Sequence, residues 1–250
     1  MVVVKNIYES IGKFEDDIAY VQSSKAAVRN GVDTSYKYGF IDYQGEIVLA
    51  PVYEYIGRRK NKMVVVMTSG VWGLFDTISH EVKIIPGAAY LGPCIENICR
   101  FNKGGFYDKN TKRITGGLWG YVSKDGHVIV EPTYELAGAF SDGMAVVKLH
   151  GKWGFVDTEG SIVVPCEYDD VESKFIKGSG ALIKNGEVFA FDKKGNQIST
   201  NLLTGEDVDF SLQCDYDPAI NDNPYYDENL DMDEQSQEFW CFHHYARPYL

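Results

Sequence analysis

Across 250 residues no stretch approaches 18 consecutive apolar positions, so a membrane-spanning helix is not expected. Met1-Val2-Val3-Val4 runs straight into Lys5 and Asn6, an apolar run too short for a secretory leader. Cysteine is scarce: Cys94, Cys99, Cys166, Cys214 and Cys241 are odd in number and scattered, unlike a disulfide framework. These absences together lead us to expect a soluble, reduced, cytoplasmic protein. Positive charge is short as well, with 24 Lys and Arg against 36 Asp and Glu and a net charge of −12. A nucleic-acid-binding surface needs clustered cations to displace counterions, so neither nucleic acid nor a membrane is an expected direct partner.

The motifs that carry chemistry are missing too. There is no Gly-rich phosphate loop ending in Lys and Ser or Thr, no G-x-S-x-G elbow and no H-E-x-x-H. His80, His127 and His150 fall at or beside turns, and none has a Ser or Cys that the sequence places near it. Asp215 and Asp217 open like a calcium loop, but Ala219 and Ile220 stand where an oxygen ligand and a glycine are required. Cys241, His243 and His244 lack a fourth zinc ligand at sensible spacing, and Cys94 and Cys99 are too far apart for a usual zinc knuckle. No catalytic residue, metal or cofactor is therefore expected, and the chain leans away from enzymes.

Glycine (25 residues) and aromatics (14%) are abundant, which suits many short strands joined by tight turns. They fall in a repeat. Lys152-Trp153-Gly154-Phe155-Val156-Asp157 leads to Gly160, then Ile162-Val163-Val164-Pro165 and Tyr168. Leu118-Trp119-Gly120-Tyr121-Val122 leads likewise to Gly126, Val128-Ile129-Val130, Pro132 and Tyr134. Tyr38-Gly39-Phe40-Ile41-Asp42 leads to Gly45, Ile47-Val48-Leu49, Pro51 and Tyr53. Trp72-Gly73-Leu74-Phe75-Asp76 continues without the turn glycine, and a degenerate copy surrounds Val188. The key positions are spaced by 34, 47, 34 and 35 residues, and the long interval holds an inserted strand-turn-strand hairpin over residues 106–114.

Each unit reads as three antiparallel strands: an apolar β-branched strand, the aromatic-Gly strand and an Ile-Val-Val strand. Asp-x-x-Gly joins the last two, an Asp accepting hydrogen bonds from backbone two residues on and a Gly tolerating φ > 0. The indole is expected to pack against the adjacent unit, because a three-stranded sheet alone cannot bury both faces. The neighbouring glycine is expected to admit a close backbone or a bulge. A row of exposed rings stacking on sugars is the competing reading.

This recurring aromatic-Gly strand, turn, apolar strand and Pro resembles the WG-repeat family over roughly residues 1–200. The resemblance implies a β-rich repeat array serving as an interaction module without assigned chemistry. Its structural repeat residues here are Tyr38, Gly39, Trp72, Gly73, Trp119, Gly120, Trp153 and Gly154. The expected fold is thus all-β, about five units in an open twisted superhelix, with a closed propeller-like ring as the alternative. In the ring, Val2-Val3-Val4 completes the last unit.

Residues 201–250 form a second region, an acidic extension. From Asn196 onward there are 12 acidic residues and one basic residue, Arg247, a net of −11, whereas residues 1–195 carry only −1. The extension ends in Phe239-Trp240-Cys241-Phe242-His243-His244-Tyr245, aromatic enough to dock on the repeats or on a partner. Tyr225, Tyr226 and Trp240 are its candidate partner contacts. The expected function is a non-catalytic protein-binding or scaffold module. The alternatives are an acidic antagonist whose extension occupies a basic site, or a carbohydrate-binding module.

Overall fold

The computed structural model describes residues 8–15, 17–23, 36–108 and 113–200. Among these there is no α-helix, and the strands form five four-stranded antiparallel sheets plus one hairpin. Sheet 1 is β1 (Tyr8–Glu15), β2 (Ile18–Ser23), β3 (Tyr38–Asp42) and β4 (Ile47–Tyr53). Sheet 2 is β5 (Tyr55–Ile56), β6 (Met63–Thr68), β7 (Val71–Asp76) and β8 (Val82–Ile84). β9 (Ala88–Ile95) and β10 (Ile98–Lys103) open sheet 3; the hairpin β11 (Phe106–Asp108) and β12 (Arg113–Thr115) interrupts it, and β13 (Leu118–Ser123) and β14 (Val128–Tyr134) complete it. Sheet 4 is β15 (Leu136–Ala137), β16 (Met144–Leu149), β17 (Lys152–Asp157) and β18 (Ile162–Tyr168). Sheet 5 is β19 (Asp170–Ile176), β20 (Ser179–Lys184), β21 (Glu187–Asp192) and β22 (Gln197–Ile198). Every sheet is open, its strands lying in a linear order with none closing into a barrel.

The number of units matches the expectation, but each holds four strands rather than three. The added strand is the first of each sheet, and its signal is weak for a physical reason. In sheets 2 and 4 it is only two residues long, and in sheets 1, 3 and 5 bulges break its pairing. A bulge destroys the strict alternation that makes a strand visible in sequence. Val2-Val3-Val4 lies outside the described residues, and sheet 5 has its own fourth strand, β22.

The chain divides into two units, Met1–Gly87 and Ala88–Leu250. In the first, sheets 1 and 2 pack face to face through Ile18, Phe40, Leu49, Val64, Val66 and Phe75. The Phe40 and Phe75 rings stack with centroids 5.7 Å apart. In the second unit a ring pair also joins each sheet to the next, but edge-on rather than stacked. Tyr121 of sheet 3 meets Phe140 edge-on at 4.9 Å, and Phe155 of sheet 4 meets Phe175 edge-on at 4.8 Å. Tyr121 is fully buried, and its hydroxyl donates to the Gly138 carbonyl at 2.8 Å. Burial pushes that phenol far above its ordinary range, so it stays a neutral donor.

The aromatic-Gly pair is explained by these sheets. Trp72, Trp119 and Trp153 are 5%, 8% and 4% exposed. Tyr55 lies 5.5 Å from Trp72 and Tyr90 lies 5.6 Å from Trp119, each contributed by the first strand of the same sheet. Trp153 belongs to a cluster that runs from Val164 and Tyr168 into Val171, Phe175 and Leu182 of sheet 5. Trp72 and Trp119 therefore gain cover from the outer strand of their own sheet, and Trp153 from a cluster that continues into the next sheet.

The glycine answers a bulge. In sheets 1, 3 and 4 the fourth strand slips register beside the pair and presses a carbonyl onto the glycine. A Cβ on Gly39, Gly120 or Gly154 would sit 2.3, 2.4 or 2.5 Å from the carbonyl oxygen of Leu49, Val130 or Val164. In sheet 2, β8 pairs without a slip, and a Cβ on Gly73 would lie 3.1 Å from the nearest atom.

The turns behave as the Asp-x-x-Gly pattern implies. Asp42, Asp157 and Asp192 each accept two backbone amides on Oδ1 at 2.8–3.0 Å. Asp76 starts a turn one residue longer, closed from His80 N at 2.9 Å, with His80 in the left-handed region at φ 59°. That explains the missing glycine. Ser123 stands where the other four units have Asp, and its hydroxyl accepts the same two amides at 3.3 and 3.2 Å. Charge-assisted bonds are shorter and stronger, so Ser123→Asp is expected to stabilise the protein by about 0.5–1 kcal/mol. Thermal unfolding at pH 7 checks this, and the gain should vanish below roughly pH 4 as the new carboxylate protonates.

Candidate interaction surface

The repeat residues form no open aromatic platform. Besides being buried, two of the indoles are roofed by cations: the Arg100 guanidinium lies 5.3 Å from the Trp119 ring and the Lys148 ammonium 5.2 Å from Trp153. Lys184 covers Tyr168 at 5.5 Å. A sugar cannot stack on faces already occupied, which removes the physical support for the carbohydrate reading. Tyr38 is half-buried and stacks on Tyr20 with centroids 5.3 Å apart.

At one end of the second unit, tight turns are tied together by carboxylates. The strand pairs turn through two residues with positive φ, such as Glu96-Asn97, Asp142-Gly143 and Lys177-Gly178. Such turns point backbone amides outward in need of acceptors. Glu96 of sheet 3 accepts Asp142 N at 2.7 Å and Gly143 N at 2.8 Å from sheet 4. Asp142 in turn accepts Gly178 N at 2.5 Å from sheet 5, and also pairs with Lys193. The Lys193 hydrogen bond, joined by the Gly178 amide, holds the Asp142 carboxyl below its ordinary range.

A depressed carboxylate contributes stability that is present above its unfolded value, roughly pH 4, and lost as pH falls through the lower folded value. Asp142→Asn is therefore expected to lower the unfolding temperature at pH 7 by the equivalent of under about 1 kcal/mol, given the exposure of the pair. The variant should lose less stability than the parent between pH 5 and about pH 2.5, which a series of thermal melts reads directly.

The inserted hairpin between β10 and β13 departs from the repeat. In sheets 2, 4 and 5 the corresponding strands are joined by a two-residue turn, as at His150-Gly151 between β16 and β17. Here Phe106 pairs with Thr115 and Asp108 with Arg113. Asn102, fully buried in the row that holds Tyr90 and Trp119, clamps its base. Its Oδ1 accepts Gly105 N at 2.9 Å and its Nδ2 donates to the Gly116 carbonyl at 3.2 Å. Gly117, at φ 66°, is required there, since a Cβ would fall 2.3 Å from Gly105 N. On this anchored base Phe106 is 62% exposed and Leu118 42% exposed. Sequence spacing located the insertion, but nothing in sequence distinguished Asn102 from an ordinary strand residue.

Tyr225, Tyr226 and Trp240 lie outside the described residues, as do Cys214, Cys241, His243 and His244. The cysteine expectation is corrected: Cys94 and Cys99 are disulfide-bonded, with Cα atoms 4.2 Å apart. Their spacing, too wide for a knuckle, becomes a facing pair once Glu96-Asn97 forms the turn between them. Cys166 is a half-buried free thiol, and burial pushes it up from its ordinary value. Among the described residues no helix is long and apolar enough to cross a membrane.

A tandem array of four-stranded antiparallel sheets, each keyed by an aromatic-Gly pair, defines a repeat-built β protein. The family described as WG containing repeat matches residues 38–72, 119–153 and 153–178. The matched stretches start at Tyr38, Trp119 and Trp153, the three pairs backed by a bulge. No curated protein matches the chain. Among solved structures, a eukaryotic initiation factor is 12% identical over 65% of this chain and 48% of its own, with a TM-score of 0.39. Hsv2p of Kluyveromyces lactis is 10% identical over 76% and 62%, with a TM-score of 0.38. The chain thus spans less than two thirds of either, and at these TM-scores neither likeness carries an argument.

Proposed function

We propose that the chain is a non-catalytic module that binds another protein, and that the inserted hairpin is its recognition element. The observation that carries this is Phe106, a large apolar ring displayed on a base held by a buried asparagine. Repeat arrays offer extended recognition surfaces, and insertions into single repeats gather on a binding side. Buried aromatics are the usual anchors of protein interfaces, so a partner with an apolar pocket fits this surface better than a polyanion does. The cytoplasmic setting inferred from the sequence belongs to this proposal.

Affinity purification from the native host tests it, using the parent, Phe106→Asp, and a variant in which residues 104–117 are replaced by a two-residue Asn-Gly turn. A stoichiometric protein partner should be recovered by the parent and lost by both variants, with unfolding temperatures showing that both remain folded. Retention of the partner by both variants would rule the hairpin out. The charge of −11 gathered after residue 195 favours a second reading, an acidic segment occupying a basic site. Loss of the partner on truncation after residue 200, with strong salt dependence in the parent, would favour that reading instead.

A further inference from the structure

We propose that Cys94 and Cys99 form a thiol–disulfide switch that sets how firmly the third sheet holds the fourth. The two cysteines face each other across the β9–β10 hairpin, 2% and 0% exposed, with Cys99 also paired to Val122 on β13. Only four residues separate them, so the bond closes a very short loop and removes little freedom from the unfolded chain. The two-residue turn already fixes this hairpin. A staple here adds little to global stability, which leaves its making and breaking free to act locally.

The local consequence follows from packing. On reduction the two sulfurs pass from a covalent bond to a non-bonded contact and need more room. Val122, Leu91 and Ile98 nearby are buried, and close-packed interiors yield little. The hairpin itself must open, and its turn is the turn that carries Glu96. Both carboxylate oxygens of Glu96 hold amides of the next sheet, Asp142 N at 2.7 Å and Gly143 N at 2.8 Å. Asp142 passes the restraint on to Gly178 of the fifth sheet. Oxidation keeps this chain of contacts in register; reduction loosens its first link.

The exchange balances with a glutathione-type couple. Two small thiols reduce the protein disulfide, each sulfur of the pair gaining one electron and one proton, and leave as one small disulfide. The reverse reaction returns two electrons and two protons to the small couple.

The test uses the full chain in a series of reduced and oxidised glutathione buffers. Trypsin releases both cysteines on one peptide, residues 84–100, whose alkylation after quenching counts the free thiols. We expect the peptide to pass from no alkyl groups to two within the series. Hydrogen exchange at the amides of Asp142 and Gly143 should accelerate at least tenfold over the same range. Cys94→Ala with Cys99→Ala, which removes the bond together with the bulk of both sulfurs, should exchange at one rate in every buffer, and Glu96→Gln should keep the thiol titration while losing most of the exchange difference. Two free thiols in the most oxidising buffer, or unchanged exchange on reduction of the parent, would overturn the proposal. Because both of those readouts come from the parent, misfolding of a variant does not rescue it.

Discussion

Alanine at position 154 is expected to destabilise the protein by about 3 kcal/mol or more, whereas alanine at position 73 should cost under about 1 kcal/mol. The two sites have the same local sequence, a tryptophan before and an apolar residue after, and both glycines are buried in the middle of a strand. Intrinsic strand preference therefore predicts no difference between them. The neighbouring strand makes the difference. At Gly154 the slipped register of β18 brings the Val164 carbonyl and Cys166 N to 2.5 and 2.9 Å from a new methyl group. These are backbone atoms held by the sheet ladder, so the methyl can be accommodated only by giving up the bulge. At Gly73 the nearest atoms, the Lys83 carbonyl and a Val82 methyl, stand at 3.1 Å and need shift only slightly. Urea titrations of the two variants separate the cases, and equal losses would show that the bulge is not what the glycine serves.

Truncation of Trp153 to alanine should cost about 3–5 kcal/mol, the range for emptying a large aromatic site in a packed core. For a chain of this size that corresponds to a fall in unfolding temperature of roughly 10 °C. The indole touches both its own sheet and the cluster that continues into Phe175, Leu182 and Phe191, so its loss opens the seam between sheets 4 and 5. It also strips the Lys148 ammonium of the ring it lies on. Lys148→Ala alone should cost far less, about 0.5–1 kcal/mol, because only the cation–ring attraction is lost. A ring displayed for ligand stacking would show the opposite pattern, with stability kept and binding lost.

Much of this architecture is legible in the sequence, and what escaped did so for identifiable reasons. Trp119-Gly120 and Trp153-Gly154 recur with their turn glycines and apolar strands, so burial and spacing reinforce one another. The 13 extra residues before Trp119 exposed the hairpin because everything around them keeps register. Leu136-Ala137 and Tyr55-Ile56 carry no period at all, and the fourth strand they form becomes visible only when it pairs. Cys94 and Cys99 are separated by a turn whose residues, Glu96 and Asn97, include no glycine or proline to announce it. Glu96 and Asp142 are ordinary acidic residues in sequence; their role comes from turns of successive sheets lying side by side.

The repeat also shows how one local pattern is adjusted without losing the fold. Where the glycine of the Asp-x-x-Gly turn is absent, His80 takes the left-handed position and the turn lengthens by one residue. Where Asp is absent, Ser123 supplies a weaker acceptor to the same amides. The family match falls on the units that keep both the bulge and the glycine-ended turn.

Acrylamide quenching of tryptophan fluorescence reaches the heart of this structure most simply, with Trp240 replaced by phenylalanine so that only Trp72, Trp119 and Trp153 emit. Indoles enclosed between strands should emit at short wavelength and be quenched at least several-fold less efficiently than after unfolding in urea. Emission and quenching like those of the unfolded chain would mean that the rings face water and that the sheets are not built on them.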